Sequence, residues 1–339
     1  MFYLFVCVPG DICINTCNPV SCAKIRNINQ QIQPFDFESE AVDNGFHNAS
    51  VGGLLAYKDN TLYAVNCLNN NDSLGLYAIN RDSAEKIHSG SFVQKEKGKY
   101  NTLYPFCMYQ NPDKIFVLEN DHYVSDYHTV RQLDLSTYEL ADSGLGIEPF
   151  SNQTYISDEL LVWSDTGAPE TLLVKYNGKQ SVVYDKRINT FDVVDGKIYY
   201  VNDFGNLYCY NPETSENVMI TKKDKSQIRT VVPEQIICCN NYCYIGEADG
   251  LICYSFDSEE NDYKYLLQED VYSINSYGGK TYAAAESGIY ELNKDKCTKI
   301  SDVKTKQIYI FDRQYIFTHD ADGNVLRIDP GTGKADEII

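Results

Sequence analysis

Residues 192–221 read DVVDGKIYYVNDFGNLYCYNPETSENVMIT, three apolar runs separated by two turn signals. KIYYV (197–201) is cut by Asn202-Asp203-Phe204-Gly205, LYCY (207–210) follows, and Asn211-Pro212-Glu213-Thr214 turns the chain into VMIT (218–221). Short runs of β-formers joined by Asn, Asp and Gly are the signature of hairpins. KIYYV and QIYIF (307–311) are apolar at consecutive positions, so both faces of these strands require cover.

The same grammar recurs along the chain. Aligning on Ile198-Tyr199 gives Leu62-Tyr63, Ile115-Phe116, Leu160-Leu161, Cys243-Tyr244, Thr281-Tyr282 and Tyr315-Ile316 as equivalent pairs. Their successive separations are 53, 45, 38, 45, 38 and 34 residues, which scatter about the period of roughly 40–50 residues of a four-stranded propeller blade. A turn precedes each pair, as KDN, NPDK, SDE, VDGK, CNNY, YGGK and FDRQ. Immunoglobulin-like modules would show the same strands but repeat at about 100 residues, so the shorter period favours the propeller. The prediction is an all-β chain folded as a β-propeller of seven four-stranded blades, with six or eight as the alternatives. The 53-residue step marks the place for an insertion. Residues 49–339 form one propeller domain in this reading, and residues 1–48 an irregular arm in which QIQPFDF (31–37) supplies an edge strand. That segment, or ADEII (335–339), completes the last blade.

Composition narrows the partners. The net charge of −19 repels phosphate backbones, so nucleic acid is not expected as a ligand. Hydrophobic residues make up 43% of the chain, with 28 Tyr and 14 Phe, and that much aromatic surface needs a core. No run reaches the roughly 18–20 apolar residues of a membrane span. Residues 1–8 are apolar but no basic residue occurs before Lys24, so they lack the charged front of a secretory signal. Either the chain is cytoplasmic or its start lies upstream; the second fits an exported or cell-surface propeller.

Twelve cysteines fall into two groups. Cys7, Cys13, Cys17 and Cys22 match no zinc or iron–sulfur spacing. The others lie mostly in apolar runs, where a thiol packs as a small hydrophobe. A two-residue turn at Asn240-Asn241 would set Cys238 opposite Cys243, within reach of a cross-strand disulfide or of simple packing as thiols.

In a propeller the corners between second and third strands share one face. Here they carry Asp72, Asp121, His122, Asp126, His128, Asp165, Asp203, Asp249, Glu286 and Asp320. Such an acidic rim suits a cation, a basic peptide or a polyol, whereas turn chemistry alone also accounts for most of these residues. His122 and His128, flanked by Asp121 and Asp126, have the elements of a divalent-cation site if the loop folds back. Asp320-Ala321-Asp322-Gly323-Asn324 begins like a calcium loop, but its twelfth position is Gly331 and the pattern fails.

KIYYVNDFGNLYCYN (197–211) resembles the tyrosine-rich YWTD-type propellers of low-density-lipoprotein-receptor relatives and the bacterial propellers similar to them. HDADGNVLRIDPGTGKADEII (319–339) is similar to a quinoprotein-type repeat. Quinoprotein repeats carry regular docking tryptophans, and with Trp163 alone this chain departs from that pattern, so no bound quinone is expected. The resemblance implies fold and leaves activity open. No G-x-S-x-G, H-E-x-x-H, P-loop or dinucleotide fingerprint occurs in a supporting context. The resulting expectation is a monomeric, noncatalytic binding propeller, without a cofactor apart from an optional divalent cation, that recognises a protein, peptide or carbohydrate through its loop-bearing face. The alternative is a propeller lyase or hydrolase using the rim carboxylates.

Overall fold

The architecture was read from a computed structural model. It describes residues 53–338 except 67–74, 81–82, 97–98, 112, 122–126, 146–150, 166–170, 187, 189, 223–234, 240, 257–262, 312–314 and 320–324. The arm of residues 1–48, its four cysteines and QIQPFDF therefore lie outside the described residues.

Local pairing builds seven antiparallel sheets from consecutive strands. Blade one is Leu55–Lys58, Thr61–Asn66, Gly75–Asn80 and Ser83–Ser89. Blade two holds Lys99–Gln110, Ile115–Asp121, Tyr127–Leu133 and Leu140–Asp142, and blade three Ser151–Ile156, Leu160–Asp165, Thr171–Tyr176 and Lys179–Tyr184. Blade four is Phe191–Val194, Lys197–Val201, Asn206–Asn211 and Glu216–Lys222. Blade five is Gln235–Cys239, Tyr242–Glu247, Gly250–Ser255 and Tyr263–Leu267. Blade six is Val271–Tyr277, Lys280–Ala285, Gly288–Asn293 and Lys296–Ser301, and blade seven Ile308–Tyr309, Ile316–His319, Val325–Ile328 and Ala335–Glu337. Each pair aligned on Ile198-Tyr199 falls in or at the start of a second strand.

Blade two departs from four strands in the place the long step marks. Its first strand, Lys99–Gln110, overruns the second, and the overrun pairs with an additional strand, Ser91–Glu96. Because Leu103 lies opposite Asp121, this extra ribbon stands at the end of the blade where the second strand turns into the third.

Tight turns explain why the first hairpins form. Asp59-Asn60 and Asp195-Gly196 have positive φ at both positions, as two-residue hairpin turns require. A further constraint sits at the start of third strands. Gly75 and Gly288 have φ near +148 and +147, and a Cβ on either would overlap the carbonyl oxygen of His88 or Ser301 in the fourth strand. Both glycines lie beside a bulge in the pairing of the third and fourth strands.

Alternate side chains of each strand serve opposite neighbours. In Tyr242–Glu247, Cys243 and Ile245 pack towards blade four while Tyr244 packs towards blade six. Seven apolar clusters result, each shared by two adjacent blades. Tyr200 and Phe191 from blade four, at 0% and 1% exposure, fill the junction with blade three. Trp163 lies in the junction of blades two and three.

Blade seven closes on blade one through Tyr309, Phe311 and Phe317 against Leu55, Tyr57 and Tyr77. Its own C-terminal residues finish its sheet, since Ala335–Glu337 pairs with Val325–Ile328 and Ile338 donates its N–H to the Val325 carbonyl at 2.8 Å. Among the described residues no strand is shared between the first and last blades, and the ring closes there by packing and by side-chain hydrogen bonding.

First strands lie against one another at several junctions, as Phe191–Val194 against Gln235–Cys239 and Gln235–Cys239 against Val271–Tyr277, and polar side chains bond backbone donors across three junctions. Asp192 accepts the N–H of Cys238 at 2.7 Å, Gln235 that of Ile274 at 2.6 Å, and Tyr309 that of Leu54 at 2.9 Å. An exposed edge strand invites pairing with other chains, and these bonds occupy its donors.

Candidate functional site

The corners between second and third strands gather on one face of the ring, and the described ones have their own internal wiring. In blade four the buried Asn202 side chain accepts the N–H groups of Phe204 and Asn206 at 3.0 and 2.9 Å. The corner is thereby held rigid and its tip is turned outward. Phe204 is 51% exposed, and the Lys186 ammonium lies 5.1 Å from its ring centroid. Asp203 accepts the Tyr184 hydroxyl at 2.6 Å and pairs with Lys186 at 3.7 Å. Burial, then the adjacent Asp203 carboxylate, pushes the Tyr184 phenol up.

Blade six builds a second polar corner. Glu286 is exposed, and its backbone N–H donates to the Asp270 carbonyl at 2.9 Å. Ser287 donates to Glu269 at 2.7 Å and shares a 2.7 Å hydrogen bond with Tyr290. Glu269 and Asp270 belong to the connection from blade five, so two connections contribute carboxylates to this side of the ring. Asp249 is half-buried at the corner of blade five, next to the buried Glu247.

The described residues among those predicted from sequence belong to blades two to six. Asp121 and Asp165 end the second strands of blades two and three, and His128 lies in the third strand of blade two opposite Asn120. Asp72, His122, Asp126 and Asp320 lie outside the described residues. Among the described residues no three His, Cys, Asp or Glu side chains converge as a metal-binding group. Cys238 pairs with Cys243, and Cys239 with Tyr242, as the two-residue turn requires; the structure carries Cys238 and Cys243 as free thiols.

Two groupings were not found from sequence. The first is Glu119, whose side chain is 5% exposed between blades one and two. His88 Nε2 lies 3.0 Å from its Oε1, and Arg131 Nε donates to its Oε2 at 3.3 Å. A carboxylate buried in an apolar strand needs such partners, and a single Glu at the end of IFVL is the signal in the sequence. The second is a cavity of about 260 Å³ between blades three and four, on the face opposite the rim. Tyr155 and Tyr176 line it together with Glu159, Asp195, Lys197 and Glu213. Two turns set its mouth, that of Ser157, which accepts the Leu160 N–H at 3.1 Å, and that of Asp195-Gly196.

No protein-family model matches the chain, and no curated protein matches it in sequence. Among solved structures it is similar to the extracellular domain of a hybrid two-component system of B. thetaiotaomicron, at 12% identity and a TM-score of 0.53. That match covers 91% of this chain and 39% of the length of the other. It is also similar to the computationally designed Ika8 protein, at 12% identity and a TM-score of 0.48 over 84% of this chain and 98% of that one. A nidogen/laminin complex contains a third similar chain, at 9% identity and a TM-score of 0.42 over 66% of this chain and 89% of that one. At these identities the similarity concerns fold alone. The molecule is a seven-bladed β-propeller, and among its described residues no helix is long and apolar enough to cross a membrane.

Proposed function

We propose that this propeller is a noncatalytic binding module, exported or displayed at a cell surface, that recognises a protein, peptide or carbohydrate through the face bearing the corners between second and third strands. The observation that carries this reading is the division of labour among its carboxylates. Asp192 is buried and joins blades through the Cys238 N–H, whereas Asp203 and Glu286 are exposed at their corners, Asp203 there holding Tyr184 and Lys186 from the end of blade three. A scaffold that presents polar and aromatic tips such as Asp203, Phe204 and Lys186 on stiff loops pays little ordering entropy on binding. An extracellular role draws support from a fold shared with an extracellular domain.

A second reading places the ligand on the opposite face, favoured by the cavity that Tyr155 and Tyr176 line between blades three and four. The two are separated by screening the protein against a glycan array and a library of charged peptides, with Asp203→Asn/Glu286→Gln and Tyr155→Ala/Tyr176→Ala variants in parallel. Loss of a hit in the first variant alone supports the rim. Loss in the second alone moves the site to the cleft, and turnover of a hit favours the lyase or hydrolase alternative.

A further inference from the structure

Blade five opens with a hairpin whose strands, Gln235–Cys239 and Tyr242–Glu247, are two residues apart. In such a hairpin the pair flanking the turn, Cys239 and Tyr242, exchanges the closing hydrogen bonds, and the next pair, Cys238 and Cys243, is a non-hydrogen-bonded one. The backbone agrees. The Cys238 N–H points away from its hairpin partner and donates to Asp192 of blade four at 2.7 Å, and the Ile236 N–H donates likewise to Thr190 at 3.1 Å. Non-hydrogen-bonded pairs bring Cα atoms to about 4.5 Å, inside the range of about 4.4–6.8 Å that a disulfide spans.

Both sulfurs lie on the strand face that blade four covers, and the two residues are 3% and 0% exposed. Cys239 is on the other face, its sulfur 3.2 Å from Thr281 of blade six, so it does not compete for either thiol. Burial, then the neighbouring Cys243, pushes the Cys238 thiol well above its ordinary range. The thiolate is the reactive form in exchange, so the finished ring shields the pair sterically and disfavours the reactive form of Cys238. The hairpin itself is local and forms in about 1–10 μs, before a neighbouring blade needs to be in place.

We propose that Cys238 and Cys243 form a modification site, a cross-strand disulfide that closes while the hairpin is uncovered and is sealed once blade four packs over it. One cysteine thiolate attacks the disulfide of an oxidised low-molecular-weight thiol such as glutathione disulfide, forming a mixed disulfide and expelling one thiol. The second cysteine attacks the mixed disulfide and expels the other thiol. The two protein thiols lose two electrons and two protons, and the external disulfide takes them up. The bonding state of the pair therefore records the redox environment in which the chain folded, which is also what separates an exported from a cytoplasmic origin.

The test compares two samples of the full chain. One is unfolded and reduced, then refolded in a buffer of oxidised and reduced glutathione; the other is folded under reduction first and then placed in the same buffer. Both are quenched by alkylation, cut with chymotrypsin after Tyr242, and analysed by mass spectrometry. The linked peptides carrying Cys238 and Cys243 are expected in the refolded sample and not in the prefolded one, and a Cys239→Ala variant should retain the link. Free Cys238 and Cys243 after refolding, a bond to Cys239 instead, or equal bonding in both samples would overturn the proposal.

Discussion

The Tyr309 hydroxyl accepts the backbone N–H of Leu54 at 2.9 Å, across 255 positions of sequence. It joins the first strand of the last blade to the residue that leads into the first. Among the described residues no strand is shared between those blades, and this bond and the packing of Tyr309, Phe311 and Phe317 against Leu55 and Tyr57 join them. Tyr309→Phe keeps the ring in the core and leaves the Leu54 N–H without this acceptor. We expect a loss of about 1–3 kcal/mol, the usual cost of an unsatisfied buried donor, read as a lower urea midpoint with an unchanged slope. An unchanged midpoint would show that closure rests on packing alone.

Gly288→Ala should be among the most damaging small substitutions. The backbone there, with φ near +147, disfavours any side chain, and the added methyl meets the Ser301 carbonyl across the bulge. An exposed turn glycine such as Gly178, whose Cβ would meet nothing within 4 Å, separates the two effects. Gly178→Ala carries only the positive-φ cost of about 1–2 kcal/mol, and Gly288→Ala should exceed it in thermal unfolding. Equal losses would mean that the fourth strand gives way.

The two kinds of carboxylate predict opposite outcomes. Asp192, 2% exposed, accepts N–H groups from Val193 and from Cys238 in the next blade. Asp192→Ala should cost about 2–3 kcal/mol, because the Cys238 donor then lies buried without this acceptor. Asp203→Asn and Glu286→Gln should shift stability by no more than about 0.5 kcal/mol, as surface changes do. Chemical denaturation of the three variants checks this, and a large loss for Asp203→Asn would place that residue in the scaffold and not on the proposed binding face.

Alkaline pH should reveal the buried tyrosines. Burial pushes the phenols of Tyr63, Tyr77, Tyr200 and Tyr282 up to about 12, against about 10 in an unfolded chain. The folded state holds these protons more tightly, so their contribution is fully present below pH 10 and is lost as pH rises from about 10 towards 12. Phenolate absorbance should show one group of tyrosines titrating near pH 10 and a second rising only with the loss of circular-dichroism signal. A single transition near pH 10 with the fold intact would contradict the burial described.

Much of the fold was legible because its signals are local. Turns such as Asp195-Gly196 and the apolar pairs that follow them fix where hairpins begin, and a period near 40 fixes how many there are. Even the surplus of blade two appeared, as a 53-residue step, although spacing alone does not reveal that Ser91–Glu96 adds a fifth strand beside an overlong first one. The placement of some corner residues was legible too. Asp203 and Glu286 do stand at exposed corners, but Glu119 was hidden inside an apolar strand and its partners His88 and Arg131 come from a different blade and a different strand.

By itself, then, the sequence determined the blade as a unit, its strand order and the register of the Cys238–Cys243 hairpin, since each depends on residues a few positions apart. Tertiary structure alone decided which blade each face serves, how the ring closes at Leu54 and Tyr309, and that a cavity opens between blades three and four. Those features bring together side chains from separate blades, and at such separations the spacing of residues along the chain carries no information about their distance in space.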